Sequence, residues 1–573
     1  MSFLQTTPKL DSLISSATLQ NWKKLNKTSQ NRLTSRANKK LSQKNIIPIE
    51  YFCNKNNLSQ IKNIVEYIVS KNYRTWDCIF SLAKNLLYKA GIIDCLHIRN
   101  VLKEYPFQSL DDLINLSLPK DEIDLLGLIY QCLLCEGKKN IKGSYYTPYI
   151  ITKEMTKNLD FSNGETFLDP SCGSGAFILA LQNATPQQIV GIDNDKIACF
   201  IAKINLLLKF SNMVFEPQIY CCNYLDSSEI IKQKFDYIIT NPPWGVDKIK
   251  SKERFSLFFV KAYGELKDTG MMRFLLPVSM LNVKAHKDLR KFILDNGSLQ
   301  SITHHTNIFN GVTTKIIDIT HKKSISTNNV LVKKGDLEFF VPTKAFRQTN
   351  NYIFNALGEE DLNIVEKVKS YGVYNLKESN WGLGIVTGDN KNQLKTQYLN
   401  GYEKIYTGKE IMPYCLKAAK NFILYDRKKF QQVAPDEIYR ADEKLVYKFI
   451  SNRLIFAYDN SKALFLNSAN ILIPKIPNMS IVTTLGFLNS SLYQYLYQVL
   501  FGEIKILRGN LEELPFPQLT ATQDNQIASL VKKIIDGNKE LIPVLECRIY
   551  EIFGIDKKLI KYIEGVLNGK TRK

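Results

Sequence analysis

Apolar residues recur at helical spacing through the first quarter of the chain. In the stretch from Ile61 to Val69, the positions Ile61, Ile64, Val65 and Ile68 fall on one face and predict an amphipathic helix. Asp121 to Cys135 predicts a second, largely apolar helix that stops at Gly137. Residues 1–140 therefore read as a helical domain. From Gly143 the pattern changes to short apolar runs alternating with helical ones. Strands are predicted at Thr166–Leu168, Gln188–Ile192, Gln218–Cys222, Tyr237–Ile239 and Met272–Leu276, with closing strands at Lys315–Ile319 and Asn329–Val332. Helices are predicted between them at Gly175–Leu181, Ile197–Phe210 and Leu257–Leu266. This alternation predicts an α/β domain over 141–345, built on a doubly wound, mostly parallel sheet with helices on both faces. Beyond residue 345 the alternation fades into short strand-like runs such as Gly384–Gly388, Asn421–Tyr425 and Leu454–Tyr458. That predicts a mixed α/β module over 346–520, followed by a basic helical tail over 521–573.

Charge narrows the class of partner. The 573 residues carry a formal net charge of +21 and a pI of about 9.2. A surplus of this size points to a polyanion, with nucleic acid ahead of an acidic membrane surface. There is no apolar run long enough to span a bilayer, so no membrane association is expected. The eleven cysteines follow no disulfide framework and no secretory leader is evident, which predicts a cytoplasmic protein. Cys132 and Cys135 form a C-x-x-C inside an apolar helical pattern, where a buried helix face outweighs a metal or redox site. The five histidines show no ligand spacing with the cysteines, and no metal is expected. Residues 1–49 hold a single acid, Asp11, a composition also found in transit peptides. Apolar positions Leu13, Ile14, Leu19, Trp22 and Leu25 favour a short helical element instead. Ser15–Lys24 has the look of a helix-turn-helix start, although a structural helix pair is the simpler reading.

The chemistry concentrates in Phe235–Trp244, an apolar run ending in Asn241-Pro242-Pro243-Trp244. Such a turn suits methylation of an amino group on a conjugated ring. That amine is a weak nucleophile because its lone pair is delocalised, and acceptors on its N–H groups help the nitrogen become tetrahedral. Asn241 offers a side-chain carbonyl. Pro242 lacks an N–H and has a fixed φ that helps present a backbone carbonyl. Trp244 offers a stacking surface.

Three further features precede this turn. Asp169-Pro170-Ser171-Cys172-Gly173-Ser174-Gly175 follows one strand and opens a helix, with small residues that admit close approach of a ligand. No Lys-Ser/Thr follows the glycines, so it is not an ATP phosphate loop. Asp193 ends the next strand and can accept both hydroxyls of a ribose. Asn223 and Tyr224 end the third, where the base of a nucleoside cofactor could lie. All four features fall at carboxyl ends of strands, the usual ligand side of an open α/β sheet.

Together these residues resemble the S-adenosylmethionine-dependent N6-adenine DNA methyltransferases, in the permutation where the cofactor motifs come first. The resemblance implies a Rossmann-like methyltransferase sheet, S-adenosyl-L-methionine as cofactor and double-stranded DNA as partner. It makes Tyr146, Thr147 and Pro148 a cofactor-wrapping segment, Asp169 to Gly175 the methionine-binding turn, and Asp193 the ribose acid. It makes Asn241 to Trp244 the catalytic turn, and it puts Phe309 against a flipped base. The family usually has Asp where this chain has Asn223, which removes a charge. Shorter similarities at Ile405–Ile411, Glu443–Lys448, Leu466–Ser468, Leu488–Leu492 and Glu513–Pro517 resemble the target-recognition module of TaqI-like methyltransferases.

The implied function is a site-specific adenine-N6 methyltransferase of a restriction-modification system, with a separate cognate endonuclease as a candidate partner. Three alternatives remain open. One is a bifunctional enzyme whose nuclease would use Glu136-Gly137-Lys138, although a helix end explains those residues more simply. The second is an RNA or protein amide methyltransferase. The third is a modification subunit dependent on a separate specificity chain.

Overall fold

The computed structural model describes residues 49–134, 147–227, 232–245, 253–305, 316–323, 327–355, 357–502 and 505–569. Tyr146, Phe309, the Glu136–Lys138 triplet and the 15–24 segment lie outside these residues. The chain divides by contacts into two compact units that meet at Thr343/Lys344.

The first unit opens with helices α1 (Leu58–Ser70), α2 (Thr75–Lys89), α3 (Leu96–Lys103) and α4 (Leu125–Leu133). In α1 the predicted face, Ile61, Ile64, Val65 and Ile68, is buried. Helix α4 starts four residues later than its apolar pattern suggests. Asp124 ends the preceding turn and accepts a hydrogen bond from Gly127 N at 2.9 Å, an N-cap that satisfies one orphan donor.

Among the described residues, the sheet that follows has nine strands in the order β3-β2-β1-β4-β5-β7-β6-β8-β9. They are β1 (Phe167–Asp169), β2 (Ile189–Asp193), β3 (Ile219–Cys221), β4 (Phe235–Thr240), β5 (Leu266–Pro277), β6 (Ser298–His305), β7 (Ile316–Lys322), β8 (Asn329–Lys334) and β9 (Leu337–Pro342). The five strands from β3 to β5 are all parallel. Strand β7 runs antiparallel between β5 and β6, β6 and β8 are parallel, and β8 and β9 are antiparallel. Helices α5 (Tyr149–Thr156), α6 (Ala176–Ala180), α7 (Lys196–Lys209), α8 (Arg254–Glu265) and α9 (Lys287–Asp295) accompany it.

The N-terminal helices and the sheet share one apolar core, in which Ile61, Leu82, Ile129, Phe200 and Leu206 are all fully buried. Its aromatic centre stacks Trp76 on Phe107 at 4.2 Å and tilts Tyr105 against Phe200 of α7 at 4.8 Å. Strand order reverses between β1 and β4, and the crevice beyond their carboxyl ends is where such sheets take ligands.

Deeper in the sheet, Asp318 on β7 is fully buried. It accepts from Arg273 of β5 at 2.6 Å and pairs with His305 of β6 at 2.7 Å. Burial alone would raise its carboxyl, but the His305 hydrogen bond and the Arg273 charge outweigh it and hold the group below the usual carboxylate range.

The second unit contains helix α10 (Glu359–Tyr371), three small sheets and a helical layer. One four-stranded sheet has β11 (Asn380–Leu383), β18 (Ala469–Ile473), β15 (Lys444–Lys448) and β16 (Phe456–Asp459). The other has β12 (Leu394–Lys395), β14 (Asn421–Ile423), β13 (Glu403–Tyr406) and β17 (Leu464–Phe465). A two-stranded ribbon pairs β10 (Gly372–Tyr374) with β19 (Phe516–Pro517). The predicted strand at Gly384–Gly388 is reduced to single bridges from Ile385 to Leu466 and from Val386 to Gln432. A Cβ at Gly384 would stand 2.1 Å from the Leu466 carbonyl, so only glycine admits that close approach.

Helices α11 (Ile481–Asn489) and α12 (Ser491–Phe501) pack on α13 (Ala521–Ile535) and α15 (Lys557–Leu567), with α14 (Ile542–Ile552) between the last two in sequence. Asn489 bonds both backbone groups of Phe456 on β16, at 3.0 and 2.9 Å. Among the described residues no helix is long and apolar enough to cross a membrane.

Candidate active site

A cleft opens at the carboxyl ends of β1 to β4. Its walls include Pro170, Ser171 and Gly173 from the turn after β1, Asp193 from β2, Asn223 and Tyr224 from the turn after β3, and Asn241 and Pro243 from the turn after β4. The sequence features that are far apart in the chain thus line one crevice.

The turn after β1 is fixed from both sides. Gly173 adopts φ 52°, a conformation that side chains disfavour, and its N–H donates to Asp193 Oδ2 at 2.9 Å. Cys172 N donates to the Ile192 carbonyl at 2.8 Å. Asp193 Oδ1 also accepts from Asp195 N at 2.8 Å, and burial raises its carboxyl above the ordinary value. Gly175, at φ 95°, caps α6 and faces Ala202 of α7, outside the cleft lining.

The turns after β1 and β4 are bonded to each other. Thr240 donates to Asp169 Oδ1 at 2.7 Å, and the hydroxyls of Ser171 and Thr240 lie 2.6 Å apart. Ser171 also reaches the Asn241 carbonyl at 3.1 Å. The Asn241 side-chain amide donates from Nδ2 to Thr147 Oγ1 at 3.2 Å, which fixes the way the amide turns. Pro242 is buried. Trp244 packs half-buried on the core, with an Nε1 that has no hydrogen-bond partner. Thr147 sits beside the turn, followed by Pro148 at the N-cap of α5.

Asn223 caps the short turn after β3, accepting from Leu225 N at 3.3 Å and donating to Asp226 at 2.5 Å. Tyr224 is almost wholly buried and donates to Glu265 at 2.5 Å.

Asp169 stands behind the cleft rather than in its wall. It is fully buried with Oδ2 unpartnered, and burial pushes its carboxyl from 3.8 up to about 7. The folded chain therefore holds a proton that the unfolded chain has lost between about pH 4 and about pH 7, and stability falls as pH rises through that window. Asp169→Asn removes this pH dependence. Its melting temperature relative to wild type is expected to climb from pH 4 to pH 8. A difference that stays flat with pH in paired calorimetric melts contradicts the assignment.

Several contributors were not singled out from sequence. Thr240 precedes the Asn-Pro-Pro turn and ties it to Asp169. Asp124, the N-cap of α4, accepts from Ser174 in the glycine turn and from Asn205 Nδ2 at 2.8 Å. Tyr130 of α4 donates to Asp195 at 3.0 Å and borders the cleft with Gln131 and Leu134. An Asp three residues ahead of a helical Gly was a readable cap signal, but nothing local linked it to the glycine turn 50 residues on.

A sequence model of the N-6 DNA Methylase family matches residues 121–368, and one of the TaqI-like C-terminal specificity domain matches residues 403–516. The Type II methyltransferase M.VspI of Vibrio sp. (strain 343) is 31% identical over 337 residues, covering 55% of this chain and 82% of that protein. The chain belongs to the N-6 DNA methylases. This methylase is therefore a DNA methyltransferase, and its second half carries a TaqI-like specificity domain. It is also 24% identical over 222 residues to the Type II methyltransferase M.HincII of Haemophilus influenzae, over 34% of this chain and 40% of that one. Its fold is like that of the Type IIL restriction-modification enzyme MmeI solved in complex with DNA. The TM-score is 0.56 at 14% identity, over 91% of the methylase and 94% of the MmeI chain.

Proposed function

We propose that this methylase modifies the N6 amino group of one adenine in a short duplex DNA site, as the modification activity of a restriction-modification system in the cytosol. The observation that carries the reading is the bonded pair of turns at the switch point, with Asn241 oriented by Thr147 and tied through Ser171 to the glycine turn. The cleft suits S-adenosylmethionine. Asp193 is an acid at the end of β2, where a ribose diol would lie, and Gly173 presents no side chain towards the ligand.

S-adenosylmethionine supplies an activated methyl on a sulfonium sulfur. Asp193 would hold the ribose, Asn223 would face the cofactor base, and Thr147 would keep Asn241 turned towards the target. An adenine rotated out of the duplex would meet Asn241, the Pro242 carbonyl and the Trp244 ring. As the N6–carbon bond formed and the methyl–sulfur bond broke, leaving the thioether S-adenosylhomocysteine, positive charge would pass from sulfur to nitrogen, where the carbonyl dipoles of Asn241 and Pro242 would stabilise it. No strong base is required, because the proton is lost from an already cationic nitrogen. Phe309 is proposed as the second face of a stack on the base. The basic charge of the chain suits phosphate contacts, and the specificity domain supplies the surface for base readout.

The test is expression in a host free of DNA methylation, followed by genome-wide mapping of methyladenine. The expected result is N6-methyladenine at one short motif. Methylation confined to RNA or protein, or to cytosine, would refute the reading.

A further inference from the structure

Gln131 is the one buried amide lining the cleft, among the described residues, that has neither polar atom satisfied. It is fully buried, and both its Oε1 and its Nε2 lack a hydrogen-bond partner. It lies on α4, whose other buried residues include Leu125, Leu126, Leu128 and Ile129. A buried amide left wholly unsatisfied is strongly unfavourable, so natural structures rarely keep one without a use. Gln131 also borders the cleft beside Tyr130, Gly173 and Asp193.

Helix α4 is held there by two independent anchors. At its start, Asp124 takes hydrogen bonds from Gly127, Ser174 and Asn205. One turn before its end, Tyr130 donates to Asp195, the N-cap of α7. The elements so gripped are the glycine turn and helix α7, and α4 lines the cleft beside them. Gln131 lines the cleft with an amide that no protein group satisfies, so the partner can come from the ligand.

We propose that Gln131 is a cofactor-binding residue, whose amide donates one hydrogen bond to S-adenosylmethionine and accepts one from it. The inference rests on the cofactor reading above. The matching chemistry is a donor and an acceptor side by side, which the cofactor offers both in its amino-acid end and in its nucleoside.

The test is calorimetric titration of the full chain with S-adenosylhomocysteine and with 5′-methylthioadenosine, which lacks the amino-acid end. Gln131→Leu and Gln131→Met both remove the amide, and Met keeps the unbranched shape. Each is expected to weaken S-adenosylhomocysteine at least about tenfold. The melting temperature of the ligand-free protein should hold or rise, because a buried unsatisfied group has gone. A purely structural role would lower it. Loss confined to S-adenosylhomocysteine places the contact at the amino-acid end, and equal loss with methylthioadenosine places it at the nucleoside. Wild-type binding with both variants within twofold overturns the proposal alone. Failure of the wild type to bind either compound overturns the cofactor reading itself.

Discussion

Asn241→Ala is expected to lower single-turnover methyl transfer by about 10²–10³-fold or more while leaving cofactor affinity within a few-fold. The reason lies in what the side chain does and does not touch. Its amide is turned by Thr147, and its backbone carbonyl is met by Ser171, so the turn survives truncation of the side chain. Strand β4 ends in Ile238, Ile239 and Thr240, all fully buried, which keeps the backbone of the turn in place. On the proposed mechanism, what disappears is the carbonyl dipole offered to the nitrogen as it gains charge. Thr147→Val should give a smaller loss in the same direction, since the carbonyl stays but its orientation loosens. Rapid-quench transfer of labelled methyl, paired with titration of S-adenosylhomocysteine, separates the two effects. Turnover near wild type in Asn241→Ala would remove this residue from the chemistry. Joint loss of turnover and cofactor binding would make it structural.

The legible parts of this fold are those whose physics is local. Strands β1, β2 and β4 carry short buried apolar runs, Phe167–Leu168, Ile189–Ile192 and Ile238–Ile239, and such runs announce themselves. The turns that end them carry Gly, Pro and Asn in patterns tied to close approach and fixed φ. Strand β6 was not legible. Its sequence, Ser298–His305, is laced with polar residues that would suit a loop. Two of the buried ones have partners from elsewhere: the Ser298 hydroxyl lies 2.9 Å from that of Thr327, and His305 pairs with Asp318. The role of α4 was hidden for the same reason. Its apolar pattern is complete without the cleft, and the bonds from Asp124 and Tyr130 join residues 50 and 65 positions apart. Asp169 shows the limit in another way. Its place in a cofactor-type motif suggested ligand contact, whereas in the fold it faces Thr240 and ties β1 to β4 from behind.

Asp459→Ala is expected to destabilise the second unit by about 3–5 kcal/mol. Asp459 on β16 lies directly opposite Lys444 on β15, with Nζ and Oδ2 2.6 Å apart and both side chains at most 1% exposed. Lys444 also donates to the Tyr439 carbonyl at 2.7 Å. Burial pulls the lysine below its usual range, and Asp459 opposes that pull. The carboxylate further accepts from Ser461 N at 3.0 Å, from its hydroxyl at 2.6 Å and from Ala463 N at 3.1 Å. Truncation therefore strands a buried ammonium together with the buried Ala463 N–H, and removes both bonds to Ser461. Because β15 and β16 belong to the sheet that carries the specificity domain, DNA methylation should fall with the fold of that unit. The first unit has its own core, and S-adenosylhomocysteine binding should persist. Differential scanning calorimetry can read this as a shift of one transition and not the other. The double replacement Lys444→Met with Asp459→Leu should recover most of the loss, because two apolar side chains need no partners. If the single variant melts like wild type, the pair is not what holds β15 to β16. If the double variant is no better than the single, the three hydrogen bonds to Asp459 matter more than the charge it neutralises.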